Sequence, residues 1–476
     1  MFWRIVRHEW QMLKADAVLW AVVAIVGSAI AYGVWNGTRW VEFQHGAIEA
    51  ASSEERERLG RLSEQLERVA GGERVSGFAD PRNPSNLGSR LAAKVVVLPP
   101  DPLGALAVGQ SDLLPSYLRV TTESRESLLA STELESPLRL LTGRFDLAFV
   151  VVYLMPLLIL ALAYSMVSGE KEQGTLALVL AQPVSLGTIV AAKVTVRAVA
   201  LLVLVVCLAV GALAVTGVSV TDGRTVERLL WWTATVAAYM GVWFAIALIG
   251  VSLGRGSAAT ATLLAGAWLV LVVILPSALT LVVQQRYPVP SRVALVQATR
   301  VASDEANAQG ARLLAAYYED HPELATGDAE QAMTDFNVVR LAVNDDIEKR
   351  VRPVVAQFDE QLVRQQALVD RFRVVSPALV LQEALSDLSG TGAQRHRHFV
   401  AQVAAFHEDW RRFFTQKIVA KAQITDLSTL PGFAYAEEPA SALRARILSA
   451  LLTFLLPALA LGGLAFTRLR RYAVTG

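Results

Sequence analysis

The chain has one cysteine in 476 residues, Cys207, and it lies inside an apolar run, which excludes an internal disulfide and a thiolate-based zinc site. Charge is scarce as well: 18% of residues are Asp, Glu, Lys or Arg, and the formal net charge is +1. No Lys/Arg cluster is interleaved with aromatic residues, which argues against nucleic acid as a partner. The long apolar runs have no ionisable residue near their centres. Transporters driven by protons or sodium need such groups at mid-membrane, and usually internal repeats, so any transport work here must draw its energy from elsewhere. No Ser/His/Asp order with nucleophile-elbow spacing is present either.

What the chain has in excess is apolar residues, 53% of the total, with a mean hydropathy of +0.41, the composition of a chain partly in lipid. A bilayer-crossing helix needs about 20 mainly apolar residues. Six runs supply them, at 17–36, 146–167, 196–216, 229–251, 258–283 and 447–467. Trp20, Tyr32, Trp35, Trp231, Trp232 and Trp268 lie towards run ends, where amphipathic rings sit at headgroup level. The first run is long for a secretory signal, and no small-residue cleavage site follows at "NGTRW".

Orientation follows from the short flanks. Arg4, Arg7 and Lys14, then Lys171, Lys193 and Arg197, then Arg255, then Arg468, Arg470 and Arg471 share one side if the spans alternate. That side is expected to be cytoplasmic and to hold both termini, in a cell membrane that is the inner one if the source is Gram-negative. Arg444 and Arg446 run against the rule. The expected fold is all-α and polytopic: an interfacial helix at 1–16, six transmembrane helices, a cytoplasmic connection at 168–195, a short outer loop at 217–228, an inner turn at 252–257, and a cytoplasmic tail at 468–476. Two long loops, 37–145 and 284–446, are left outside and are expected to build one mostly helical domain.

Within the first loop, residues 47–70 place Leu59, Leu62, Leu66 and Val69 at helical spacing, and a short strand is expected at Lys94 to Leu98 after a Pro- and Gly-rich stretch. In the second loop, 291–318, 328–373 and 394–422 have helical periodicity, broken by "EDHPELATGD" and "DLSGTG". At the N-terminus, Trp3, Val6, Trp10 and Leu13 share one face of a helix whose other faces are charged, the pattern of a helix lying in the membrane interface. Small residues at four-residue spacing, Ala258, Thr262 and Gly266 and also Gly27 and Ala31, are of a kind that allows close helix approach. Pro156, Pro276 and Pro457 fall inside spans, where they can kink them.

The stretch "SGEKEQGTLALVLAQPV", 168–184, carries the dense charge of its region. Gly169 and Gly174 have the separation of a phosphate-binding loop, but Thr175 stands where that loop needs lysine, and a membrane run precedes it in place of a strand. The expected structure is a charged head (Glu170, Lys171, Glu172), then a helix of two to three turns with Leu176, Val179 and Leu180 on a docking face. Pro183 should end it. The pattern Gly-Glu-x-Glu-x-Gly-Thr-Leu, then an apolar stretch, Gln-Pro-Val-Ser and a later Lys, resembles the coupling region of six-span ABC exporter permeases (type V exporter fold). It is most similar to the branch with the nitrous-oxide reductase copper-maturation and gliding-motility permeases. "VSPALVLQEALSDLSGTG" followed by "HRHFVAQVAAF" looks like the signature of a subfamily with two large loops.

The resemblance implies a permease that is not itself an enzyme and has no cofactor of its own. Two separate ABC ATPase subunits would bind ATP and Mg, and a second permease, identical or homologous, would complete the path. Residues 168–186, with Gly174 and Thr175 at their centre, would dock on the ATPase, Glu170 and Glu172 pairing with its basic residues. The alternative is a non-transporting subunit that transmits motion to an extracytoplasmic partner; a sensor or scaffold without an ATPase is a third reading. His396 and His398 form an H-x-H with His407 further on, but residues two apart on a helix face different ways. Metal is not expected there, nor catalysis at Glu319, Asp320 and His321.

Overall fold

In lipid every backbone polar group must be satisfied within its own segment, so the apolar runs fold as helices. The computed structural model describes all residues except 1, 16, 76–79, 124–144, 216, 219–220, 289–291, 311, 313–335 and 473–476. Among the described residues, five helices are long and apolar enough to cross a membrane: Leu147–Glu172, Leu186–Val215, Gly223–Ser252, Ser257–Arg286 and Ala440–Leu469. The expected first span is the start of a longer helix, several of whose early side chains lie outside the described residues.

In chain order, α1 is Phe2–Ala15 and α2 is Ala17–Ala70; β1 (Lys94–Val97) and β2 (Tyr117–Val120) form an antiparallel pair, with Lys94 opposite Val120 and Val97 opposite Tyr117. Then come α3 (Met155–Ala163), α4 (Ser168–Glu172), α5 (Leu176–Leu180), α6 (Leu186–Val215), α7 (Gly223–Ser252), α8 (Ser257–Trp268) and α9 (Leu275–Arg286). The rest is α10 (Arg292–Ala308), α11 (Phe336–Phe372), α12 (Pro377–Leu388), α13 (Ala393–Val419) and α14 (Ala440–Leu469). Helix α7 is the centre of the bundle, with 67% of its apolar window buried against 11% for the α8–α9 segment. It packs chiefly on α14 and α3, and Trp232, Tyr239 and Trp243 are fully buried there.

Two spans contain π-helical turns, Val150–Leu154 and Leu269–Ile274, each directly ahead of a proline, Pro156 or Pro276. Proline has no N–H to give the carbonyl one turn back, and an orphaned carbonyl in lipid is costly. Side chains from elsewhere donate to carbonyls of these turns: the Tyr239 hydroxyl to Val152 O at 2.6 Å, four residues before Pro156, the Ser376 hydroxyl to Leu271 O at 2.7 Å, five before Pro276, and the Trp268 indole to the neighbouring Tyr153 O at 3.2 Å.

At the opposite end of the bundle from α4 and α5, both long loops contribute to one core. Leu62 of α2, Val96 of β1, Leu118 of β2 and the aromatic ridge of α13, Phe399, Phe406, Trp410 and Phe414, cluster together. The strand expected at Lys94 to Leu98 is β1; its partner β2, only four residues long, was not anticipated. Helix α2 differs from the expectation of a span and a separate helix: it is continuous over 54 residues, about 80 Å at ~1.5 Å per residue. Its close approaches fall at Gly33 and Gly37. A Cβ at Gly37 would sit 2.1 Å from Ala105 O, while Gly27 and Gly266 have open space around them among the described residues.

Candidate functional site

The charged connection is two short helices rather than one of two to three turns. Gly174 has φ +70°, a left-handed conformation that ends α4, with Gly174 N–H bonding Lys171 O and Thr175 N–H bonding Glu170 O, both at 3.0 Å. This is the 5→2 and 6→1 pair of a Schellman cap. The glycine that resembled part of a phosphate loop is therefore a helix stop. Helix α5 ends at Leu180 ahead of Pro183, as the proline requires.

Each charge of the head has a partner inside the chain. Glu170 pairs with Lys193 of α6, whose ammonium also donates to Met166 O at 3.1 Å and lies 3.8 Å from Glu9 of α1. Glu172 accepts the Ser257 N–H at 2.7 Å, with the Ser257 hydroxyl 2.9 Å away, which places a carboxylate on the N-terminal turn of α8 where the helix dipole favours it. Lys171 stands over the Tyr472 ring at 5.9 Å. Glu170 is half-buried on its Lys193 contact, whereas Glu172 stays exposed to solvent beside Ser257.

The apolar residues divide in the same way. Leu176 is 2% exposed and packs with Val167, Leu186, Val190, Val251 and Leu469, and Leu180 lies against the same cluster. The Val179 side chain lies outside the described residues. Leu178, absent from the expected docking face, is 74% exposed, and Gln182 and Pro183 are exposed beside it. A five-residue helix turns Leu176 and Leu180 to one side and Leu178 to the other; without the inner wall, sequence periodicity cannot say which side faces in. Of the α1 face, Trp3 is exposed, Val6 and Leu13 are half-buried, and Trp10 is 42% exposed.

A second junction lies at the far end. Helix α12, "PALVLQEALSDL", is the piece of the second loop that enters the bundle: Ala378, Leu381, Ala384, Leu385 and Leu388 belong to the main core with Val151, Trp243 and Phe454. Around its C-terminus, Asp387 bonds Arg446 of α14 at 2.7 Å, and Thr391 donates to Ala107 O at 2.9 Å. Arg395 donates to Pro99 O at 3.0 Å and pairs with Glu437, and Asp101 pairs with Arg228 of α7. Burial pushes the Asp387 carboxyl above its ordinary value, and the Arg446 charge opposes this. Gly390, at φ +67°, lies where a Cβ would come within 2.4 Å of Asp101. The two arginines that run against the flank rule are both neutralised here: Arg444 by Glu227 at 2.7 and 3.0 Å, and Arg446 by Asp387 and Glu438.

The histidines are spread over separate contacts. His398 and His407 face the carbonyls of Ala436 and Glu123 at 3.1 and 2.8 Å, and burial lowers His396 to about 4. Among the described residues no group of three or more His, Cys, Asp or Glu is placed to hold a metal. Glu319, Asp320 and His321 lie outside the described residues.

The chain is thus a bundle of long apolar helices with a pinned, charged connection at one end and a helical domain wedged into the other. Residues 135–265, which include the connection, match a family described as ABC-2 family transporter protein, and residues 292–436 match a domain of unknown function, DUF3526. The first match supports an ABC transporter permease role in a multi-pass membrane protein. Comparison with curated proteins gave no match.

Proposed function

We propose that this chain is the permease subunit of an ABC transporter, working with a second permease, identical or homologous, and with two ABC ATPase subunits that bind ATP and Mg and hydrolyse the ATP. Its cargo is exported across or extracted from the membrane. The connection 168–186 receives the force. The observation that carries this reading is the way the connection is built: Glu170, Glu172 and Leu176 tie it to α6, α8 and the ends of the spans, while Leu178 stands out at 74% exposure. A force lever needs rigid attachment on one side and a free contact on the other. The match over 135–265 supports the same class. In this reading the side of α4 and α5 is cytoplasmic, and the domain of both loops lies outside in contact with an envelope partner.

The α12 wedge gives the alternative, transmission of motion without transport, a physical basis. Helix α12 contacts the π-turns of two spans as well as α7 and α14, so a tilt of the bundle displaces the outer domain under either reading. Reconstitution in vesicles with the ATPase subunits separates them. ATP-dependent movement of a lipid-like or peptide cargo supports export, whereas ATP-dependent domain motion with no cargo movement supports the alternative. Failure of L178E to weaken co-purification of the ATPase would overturn the coupling assignment in both.

A further inference from the structure

A groove of about 390 Å³ opens between α1, the start of α2 and α6, lined by Trp10, Leu13, Trp20, Val203, Leu204 and Cys207. Its walls are almost wholly apolar. Two cations, Lys14 and Arg197, also line it. Arg197 stands ten residues ahead of Cys207 on the same helix, about 15 Å nearer the end of the bundle that bears α4 and α5. Lys14 closes α1 at that same end, its ammonium over the Trp10 ring at 5.1 Å and its carbonyl accepting the Trp20 indole N–H at 2.9 Å. Val199 and Val203, 54% and 53% exposed, leave the long side of the groove open to the bilayer.

We propose that this groove is a binding site for one anionic phospholipid, its acyl chain against α6 and its phosphate between Lys14 and Arg197. The shape and the charges select this occupant together. An apolar slot facing lipid admits an acyl chain, and cations at its shallow end favour an anionic headgroup over a zwitterionic one. The site has a route to the connection: Glu9, on the same helix as Lys14, lies 3.8 Å from Lys193, which pairs with Glu170. A lipid seated here fixes α1 against α6 and so steadies the anchor of the connection. Assigning the lipid to the cytoplasmic leaflet rests on the orientation proposed above; binding in detergent tests the groove without that assumption.

The test is native mass spectrometry of the full-length protein in detergent, titrated with phosphatidylglycerol or with phosphatidylcholine of the same chains. The protein is expected to retain phosphatidylglycerol more tightly, and K14Q to weaken it about fivefold, the worth of one interfacial cation, with phosphatidylcholine unaffected. V203W, which fills the groove and leaves both cations, is expected to abolish the preference. R4Q removes an exposed cation of α1 outside the groove and is expected to change nothing. The proposal is overturned if R4Q weakens binding as much as K14Q, if V203W leaves the preference intact, or if glycerol phosphate at equal concentration displaces the lipid.

Discussion

Lys193→Met is the sharpest perturbation of the connection's anchor. The side chain, 7% exposed, keeps its unbranched stem and loses the ammonium that serves Glu170, Glu9 and Met166 O. Removing one partner of a buried ion pair typically costs about 3–5 kcal/mol, because the other charge stays buried. Glu170 and Glu9 retain 26% and 14% exposure and so keep some hydration, which places the expected loss near the lower end, about 3 kcal/mol. In a thermal melt of the purified protein that loss corresponds to a fall on the order of 5 °C. Lys193→Met with Glu170→Gln removes both charges of the closest pair and is expected to recover about 1 kcal/mol or more relative to Lys193→Met alone, the coupling of residues in contact. A single variant that melts within a degree of the wild type, or a double variant no more stable than the single, refutes the anchoring argument.

Tyr239→Phe leaves Val152 O without its donor ahead of Pro156, and a loss of about 0.6–1.7 kcal/mol is expected in denaturant unfolding, the range for interhelical hydrogen bonds in lipid. Ser376→Ala is expected to fall in the same range through Leu271 O, and a null result at both sites would show that the π-turns need no outside donor. His396 is held neutral by burial, its value lowered from 6.5 to about 4, so between those pH values the unfolded chain takes up a proton that the folded chain does not. Stability of the outer domain should therefore fall as pH drops through this window, by at most about 3 kcal/mol at ~1.4 kcal/mol per unit, and His396→Gln should flatten the profile. Gly390→Ala forces a side chain onto a left-handed backbone against Asp101; destabilisation of more than about 1 kcal/mol is expected in the same melt, and no change would mean the junction yields freely.

The spans were legible because lipid imposes one rule, some 20 apolar residues per helix, and α6, α7 and α14 follow it openly. Pro156 and Pro276 marked the irregular turns in advance, but not their donors: Tyr239, Trp268 and Ser376 come from other elements, and only the packing of α3, α7, α8 and α12 brings them near. The connection was legible as a charged, proline-ended piece. Its internal contacts were not, since nothing in the sequence sets Lys193 beside Glu170 or Ser257 beside Glu172. Helix α12 was visible as a sequence signature, while its place inside the bundle followed from six buried apolar positions that periodicity alone could not assign to membrane or outer domain.

Cys207 is the chain's one cysteine, so Cys207→Ser gives a thiol-free background in which a single introduced cysteine reports its own surroundings. In that background Leu178→Cys should form a crosslink to a co-expressed ABC ATPase subunit, and Leu176→Cys, buried against Val190 and Val251, should not. The coupling account is contradicted if Leu178→Cys stays uncrosslinked in a complex that still co-purifies, or if Leu176→Cys crosslinks as readily.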